Sequence, residues 1–169
     1  MLGSSATVKI RAARLADVGE LEDVYRSSWR NAYIGIIPYD KLEAVLVRRG
    51  LAWWRRALRS GDRLLLIEVL GKVCGYASFG YSRHGGPEEG EIYELYLSPA
   101  YQGVGLGELL FEACRQRLDQ RGLKGLIVWV LSENDAARSF YIRRGGRRAY
   151  KRFDRSTGQR LEKVAYVWD

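Results

Sequence analysis

The sequence is poor in the residues that build covalent or metal-bound scaffolds: its 169 residues include two cysteines, one histidine and three prolines. Cys74, Cys114 and His84 are too few for a disulfide framework or a Cys/His zinc site, so we expect no metal. The longest apolar run, Leu126–Leu131, is far short of the roughly 20 residues of a membrane span. Residues 1–7 lack a basic region followed by an apolar stretch. We therefore expect no signal peptide, no membrane contact and a cytoplasmic location.

Acidic residues are outnumbered by basic ones. The sequence has 28 lysines and arginines against 20 aspartates and glutamates, for a formal net charge of +8. The densest basic stretch, residues 143–155, carries seven of the positive charges. Such a stretch is typical of a solvent-exposed helix end and strand face. The alternative is that it binds the phosphates of a cofactor or a nucleic acid. Neither a zinc-finger spacing nor an RNA-recognition signature is present, so we do not expect a nucleic-acid partner.

Hydrophobic patterning predicts one domain over residues 8–169, after a flexible segment 1–7. Helical spacing predicts helices that begin near Asp17 and at Pro38, and a third helical segment that Gly61-Asp62 closes. Two further helices are predicted over Leu106–Arg121 and Asn134–Arg144. The predicted strands are Val8–Ala12, Leu64–Val69, Val73–Phe79, Glu91–Leu97, Leu126–Leu131, Arg148–Phe153 and Leu161–Trp168. Hairpins mixed with a strand–helix–strand unit imply an α/β (mixed α+β) fold, with a mixed sheet of about seven strands flanked by helices.

Two local details are also predicted. Gly71-Lys72 is expected to form the turn between the second and third strands. The apolar face of the fourth helix is expected to comprise Leu106, Leu109, Leu110, Ala113 and Leu118, with Cys114 beside it.

A glycine-rich turn, residues 102–107, lies between a predicted strand and a predicted helix. Its three glycines let backbone N–H groups approach a ligand closely, and the helix N-terminus adds partial positive charge. The turn is either an anion site or a plain glycine-rich connector. Glu108 and Leu109 stand where a Walker motif needs Lys and Ser/Thr, and Glu108 replaces the third glycine of a dinucleotide fingerprint.

Two motifs resemble those of the GNAT superfamily of acyl-CoA-dependent N-acyltransferases. The first is the strand Glu91–Leu97 followed by Pro99, Tyr101 and the Gln-x-x-Gly-x-Gly turn that starts at Gln102. The second is an Asn-x-x-Ala-x-x-Phe-Tyr-x-x-x-Gly pattern formed by Asn134, Ala137, Phe140, Tyr141 and Gly145. Gly146 departs from the family, in which an aromatic residue commonly follows the glycine.

The resemblance implies a sheet that splays open between its fourth and fifth strands and holds acetyl-CoA in the gap. The cofactor arm would pair with strand backbone, and the pyrophosphate would lie on the glycine turn. The residues implied for the cofactor are Leu95, Leu97, Gln102, Gly103, Val104, Gly105, Leu106, Gly107, Asn134 and Arg138. Asn134 is equally suited to be only a helix N-cap. The resemblance places the acceptor near Trp29, Tyr33 and Glu94, and family members are often homodimers.

Acetyl transfer to an amine needs a base for the amine and an acid for the leaving thiolate. By resemblance, Glu91 is the water-mediated base and Tyr141 the general acid; the backbone N–H of Leu97 would polarise the thioester. Glu94 is the alternative base. In a regular strand Glu94 and Glu91 point to opposite faces, so both can line one site only if a bulge intervenes.

The predicted function is therefore direct N-acetyl transfer from acetyl-CoA to a primary amine. The acceptor can be a small molecule or a protein N-terminus or lysine. A catalytically inactive acyl-CoA-binding protein and a nucleic-acid-binding module are the alternatives.

Overall fold

A computed structural model describes residues 7–60 and 63–169. Residues 1–6 of the expected flexible segment and the Gly61-Asp62 turn lie outside the described residues. Short 3-10 turns at Leu15–Asp17 and Pro99–Tyr101 supplement the main elements. In chain order these are β1 (Val8–Ala12), α1 (Val18–Tyr33), α2 (Tyr39–Arg48), α3 (Leu51–Arg59), β2 (Leu64–Val69), β3 (Lys72–Tyr81), β4 (Gly90–Leu97), α4 (Leu106–Gln120), β5 (Leu126–Leu131), α5 (Asp135–Arg143), β6 (Arg147–Asp154) and β7 (Leu161–Trp168).

All strands within the described residues belong to one seven-stranded sheet of order β1-β2-β3-β4-β5-β7-β6. Adjacent strands are antiparallel except β4 and β5, which are parallel. These two strands pair only at Gly90 with Leu126 and at Glu91 with Ile127, and beyond those residues they diverge. The predicted mixed α/β fold, splayed between its fourth and fifth strands, is therefore confirmed.

The hairpin between β2 and β3 turns one residue earlier than predicted. Val69 pairs with Lys72, so the turn residues are Leu70 and Gly71 rather than Gly71 and Lys72. Both have positive φ, 51° for Leu70 and 78° for Gly71, as a two-residue turn matching the strand twist requires.

The sheet is covered on both faces. One buried cluster joins α4 to the sheet and includes Phe111, Cys114 and Ile92; the other joins α1–α3 to the sheet and includes Tyr25 and Trp54. The predicted apolar face of α4 was wrong at Leu109, which is 49% exposed. Phe111 and Cys114 are fully buried instead, because the sheet contacts the helix along a stripe rotated toward them.

We expect Leu110→Ala to lower the free energy of unfolding by about 2–5 kcal/mol, because the fully buried side chain would leave a cavity. Leu109→Ala, the same change one residue away, should stay within about 0.5 kcal/mol because Leu109 is half exposed. Urea unfolding of the two variants measures the difference. Equal losses would contradict this orientation of α4.

A tryptophan explains the departure from the family pattern at Gly146. A Cβ added there would lie 2.7 Å from the Trp168 ring and 2.9 Å from the backbone oxygen of Tyr141. The Trp168 indole N–H also donates to the Arg144 carbonyl oxygen at 2.9 Å. The ring of Trp168 therefore takes up the space beside the end of α5, and only glycine fits at position 146.

Candidate active site

The gap between β4 and β5 exposes strand backbone inside the molecule. The Ser98 N–H donates to the Cys74 carbonyl oxygen on β3 at 2.9 Å. Successive strand residues point their N–H groups to opposite edges, so those of Leu97 and Leu95 face the gap. The carbonyl oxygen of Leu97 accepts instead from the side-chain amide of Gln102 at 3.0 Å. This edge is therefore available to pair with an extended ligand.

The glycine turn forms an uncapped helix start at the end of this gap. Gly103 and Gly105 have φ of 77° and 89°, and a Cβ at either would meet no heavy atom within 4 Å. Gly105 is the N-cap of α4 without a side-chain hydrogen bond, and the Leu109 N–H donates to its carbonyl at 3.3 Å. The N–H groups of the first turn therefore have no acceptor within the helix, which suits them to bind an anion.

A cleft of about 490 Å3 connects the turn to the gap. Of the predicted cofactor residues, it is lined by Leu95, Leu97, Gln102, Gly103, Gly105, Gly107 and Asn134. The Val104 side chain is 70% exposed, whereas that of Leu106 is buried. Asn134 caps α5 by accepting from the Ala137 N–H at 3.2 Å. Its two predicted roles are thus compatible, because the amide NH2 can still donate.

The arginines of α5 are divided between two environments. Arg138 donates to the Tyr166 hydroxyl at 3.2 Å and to the Ser132 carbonyl at 3.1 Å, away from the cleft lining. Arg143 and Arg144 line the cleft instead. Arg144 lies over the Phe140 ring at 4.5 Å and pairs with the exposed Glu108 at 3.2 Å. The positive charge that lines the cleft thus comes from the C-terminal end of α5.

A second cavity, of about 300 Å3, meets the first at Tyr141. It brings together the three residues predicted for the acceptor, Trp29, Tyr33 and Glu94. Tyr141 is 5% exposed and lines both cavities. Burial raises the pKa of its phenol above the ordinary value, so the hydroxyl stays protonated at neutral pH.

A bulge in β4 places Glu91 and Glu94 on the same face. Ser78 pairs with Glu94 and Phe79 with Ile92, which leaves Tyr93 as an extra residue. Ile92 and Leu95 consequently both pack toward α4, although they are three residues apart. This is the condition under which both carboxylates can serve one site.

The two carboxylates are held differently. Glu91, 3% exposed, accepts from the Arg83 backbone N–H at 2.9 Å and from its guanidinium at 3.1 Å. Glu94 accepts from Arg49 at 2.6 Å and from the Tyr76 hydroxyl at 2.9 Å. Glu94 lines the acceptor cavity, whereas Glu91 lies behind Arg83, which does line it.

Sequence reasoning missed Arg49, which organises the acceptor side. Its guanidinium lies over the rings of Tyr25, Trp29 and Trp53 at 5.2, 5.2 and 4.5 Å while it pairs with Glu94. Arg49 is the C-cap of α2 and belongs to no motif, so no local signal marked it. Burial raises the pKa of the neighbouring Tyr33 to about 12, which keeps its hydroxyl protonated.

Neither a metal-binding cluster nor a membrane-spanning helix is found in the described part of the chain. Residues 7–60 and 63–169 contain no cluster of three or more side chains suited to hold a metal ion. Nor does any helix within these residues have the length and apolar character needed to cross a bilayer.

Three features define an acyltransferase of the GNAT type. They are the splayed strands, the uncapped glycine turn and the two cavities that meet at a buried tyrosine. A model of the acetyltransferase (GNAT) family matches residues 20–145. The chain belongs to this family, as the sequence motifs predicted.

Relatives of this chain include both curated proteins and solved structures. It is 31% identical to an uncharacterized N-acetyltransferase, YuaI, of Bacillus subtilis (strain 168), over 95% of this chain and 92% of that protein. It is 28% identical to the L-amino acid N-acyltransferase MnaT of Escherichia coli (strain K12), over 77% of this chain and 74% of that protein. The structure of yncA, a putative acetyltransferase from Salmonella typhimurium with its cofactor acetyl-CoA, has a TM-score of 0.66 at 24% identity, over 96% of this chain and 93% of that one.

Proposed function

We propose that this enzyme transfers the acetyl group of acetyl-CoA directly to a primary amine, which reaches the site from the side of Trp29 and Tyr33. The observation that carries the proposal is the meeting of two cavities at Tyr141. One is bounded by the glycine turn and the open edge of β4, and the other by Glu94 and aromatic rings.

The residues of the first cavity fit the donor. The backbone N–H groups of the glycine turn hold the pyrophosphate, and Arg143 and Arg144 neutralise phosphate charge. The N–H groups of Leu95 and Leu97 hold the extended arm and polarise the thioester carbonyl. Bound acetyl-CoA supplies the activated acetyl group as a thioester. A titrating side chain is not needed to hold it.

Glu91 takes the proton of the ammonium through a water molecule beside Arg83. Its closest guanidinium contact is 3.1 Å against 2.6 Å for Glu94, and the Arg83 side chain is 67% exposed and able to move aside. Glu94 instead positions Arg49. Once the amine is neutral, the new N–C bond forms as the C–S bond breaks, and Tyr141 donates its proton to the departing thiolate sulfur. The nitrogen then loses its remaining extra proton to become an amide, and that proton returns to the Tyr141 phenolate through water.

The reaction is tested by incubating the protein with acetyl-CoA and a panel of amines, amino acids and peptides, with acetylated products detected by mass spectrometry. We expect turnover, and we expect Glu91→Gln to lower kcat/KM by about 100-fold near neutral pH. The deficit should shrink as pH rises toward the pKa of the acceptor amine, because a larger fraction of the amine is then already neutral.

Two further carboxylate variants test whether Glu91 is the base. Glu112→Gln removes an exposed carboxylate from α4 and should leave the rate unchanged. A Glu91→Gln deficit that stays flat across pH, together with a pH-dependent deficit in Glu94→Gln, would transfer the role of base to Glu94. Thermal stabilisation by acetyl-CoA without turnover on any amine would instead identify an inactive acyl-CoA-binding protein.

A further inference from the structure

A third cavity, of about 380 Å3, extends the acceptor side beyond the proposed reaction centre. It shares Arg49, Arg83, Tyr93 and Glu94 with the second cavity, so the two adjoin at these residues and together make up the acceptor channel. One wall is apolar and aromatic, with Trp53, Trp54 and Phe79. An acceptor whose amine lies near Tyr141 therefore has room to extend into this third cavity.

The charge of this third cavity is strongly one-sided. Four arginines line it, Arg49, Arg63, Arg83 and Arg121, against the single carboxylate of Glu94. Two of the four are neutralised within the fold, since Arg49 pairs with Glu94 and Arg83 with Glu91. Across residues 7–60 and 63–169 there is no carboxylate within ion-pair distance of Arg63 or Arg121.

Arg121 is partly buried at the wall of this third cavity. Its Nη1 atom is buried and has no hydrogen-bond partner among the described residues. The guanidinium is held 4.8 Å from the centre of the Tyr81 ring at the wall of the cavity. An anionic group in the cavity would balance the charge of this partly buried guanidinium.

We propose that the acceptor is an amine that also carries an anionic group, a carboxylate or a phosphate, and that Arg63 and Arg121 bind this group at the far end of the channel. The proposal rests on the proposed acetyl transfer and names its substrate class. Arg63 and Arg121, which have no ion-pair partner among the described residues, attract the anionic end of the acceptor, while its ammonium end reaches the proposed base. The aromatic wall between them suits an apolar or aromatic middle.

Binding is measured by calorimetry on the full chain saturated with free CoA, so that the result does not depend on turnover. The probes are para-aminomethylbenzoate and its neutral amide, and para-aminomethylphenyl phosphate and its neutral phenol. We expect each anionic probe to bind at least about tenfold more tightly than its neutral counterpart. A preference for the carboxylate probe assigns a carboxylate to the acceptor, and a preference confined to the phosphate probe assigns a phosphate.

Matched variants show which arginines cause the preference for the anionic probes. Arg63→Gln combined with Arg121→Gln should bring the anionic-to-neutral affinity ratio close to one. Arg56→Gln combined with Arg59→Gln removes the same charge from exposed positions of α3 that do not line the cavity, and should preserve the ratio. If the first double variant does not fold, Arg63→Gln alone is used and should lower the ratio by several-fold.

The outcomes separate this inference from the proposed function. Equal affinity of wild type for anionic and neutral probes overturns the inference, and so does a ratio that survives in the Arg63/Arg121 variant. Acetylation of amines with no preference for an anionic group overturns it while the proposed function stands. A clear binding preference without acetylation of any amine supports the anion site and rejects the proposed function.

Discussion

Tyr141→Phe is expected to lower kcat by about 100- to 1000-fold, because it removes the proton that the departing thiolate receives. The dissociation constant for acetyl-CoA should change little, since the ring that packs against Phe111 and Trp168 is retained. Burial raises the pKa of the Tyr141 phenol, so the wild-type enzyme keeps its acid protonated as pH rises through the neutral and alkaline range. Steady-state kinetics together with calorimetric titration of acetyl-CoA separate the two quantities.

Tyr39→Phe is the matched control, because Tyr39 is 79% exposed and lies outside both proposed substrate cavities. It should leave kcat unchanged. An unchanged kcat in Tyr141→Phe would remove Tyr141 from the acid role and leave it as a packed aromatic residue. A parallel loss of stability and affinity would point to the same conclusion.

The second large effect is expected at the glycine turn. Gly105→Ala should raise the dissociation constant for CoA at least about tenfold, because its Cβ would enter the cleft where the pyrophosphate is proposed to lie. At a CoA concentration of 100 times the wild-type dissociation constant, wild type gains about 2.7 kcal/mol of stability and the variant about 1.4 kcal/mol. The difference is measured as a smaller rise in Tm on adding CoA.

Gly122→Ala provides a closely matched comparison at the other end of α4. Gly122 has φ of 72° and, like Gly105, has no heavy atom within 4 Å of an added Cβ. Both variants carry a similar backbone cost, about 1–2 kcal/mol in the left-handed region. Only Gly105→Ala should lose CoA affinity. Equal affinity of the two variants would mean that this glycine turn is a connector and not the phosphate site.

Strong local patterns made most of the fold predictable. The strands Val8–Ala12, Leu64–Val69, Leu126–Leu131 and Leu161–Trp168 have the predicted bounds. The β2–β3 turn was misplaced because Leu70, which lacks the usual turn preferences, adopts positive φ where glycine or asparagine is favoured. The face of α4 was misjudged because Leu109 and Phe111 fit neighbouring helical stripes equally well, and only contact with the sheet decides between them.

The parts of the site that local motifs form could be predicted from the sequence. The parts that contacts between residues far apart in the chain form could not. The glycine turn and the α5 pattern indicated the cleft, and the bulge that aligns Glu91 with Glu94 was foreseen only as a condition. Arg49 and Glu94 are 45 residues apart, and Arg121 reaches the third cavity from the end of α4. Such pairs arise from tertiary packing, which no spacing along the chain encodes.

The early divergence of β4 from β5 gives this sheet four open edges instead of two. The outer edge strand β6 is guarded against pairing with other chains by exposed charges such as Arg148 and Arg152. The inner edges lack such charges on β4 at Leu95 and Leu97 and lie between flanking helices. An extended ligand arm that pairs with these N–H groups would leave them unavailable to a strand of another chain. The fold thus encloses between helices a kind of strand edge that elsewhere invites aggregation.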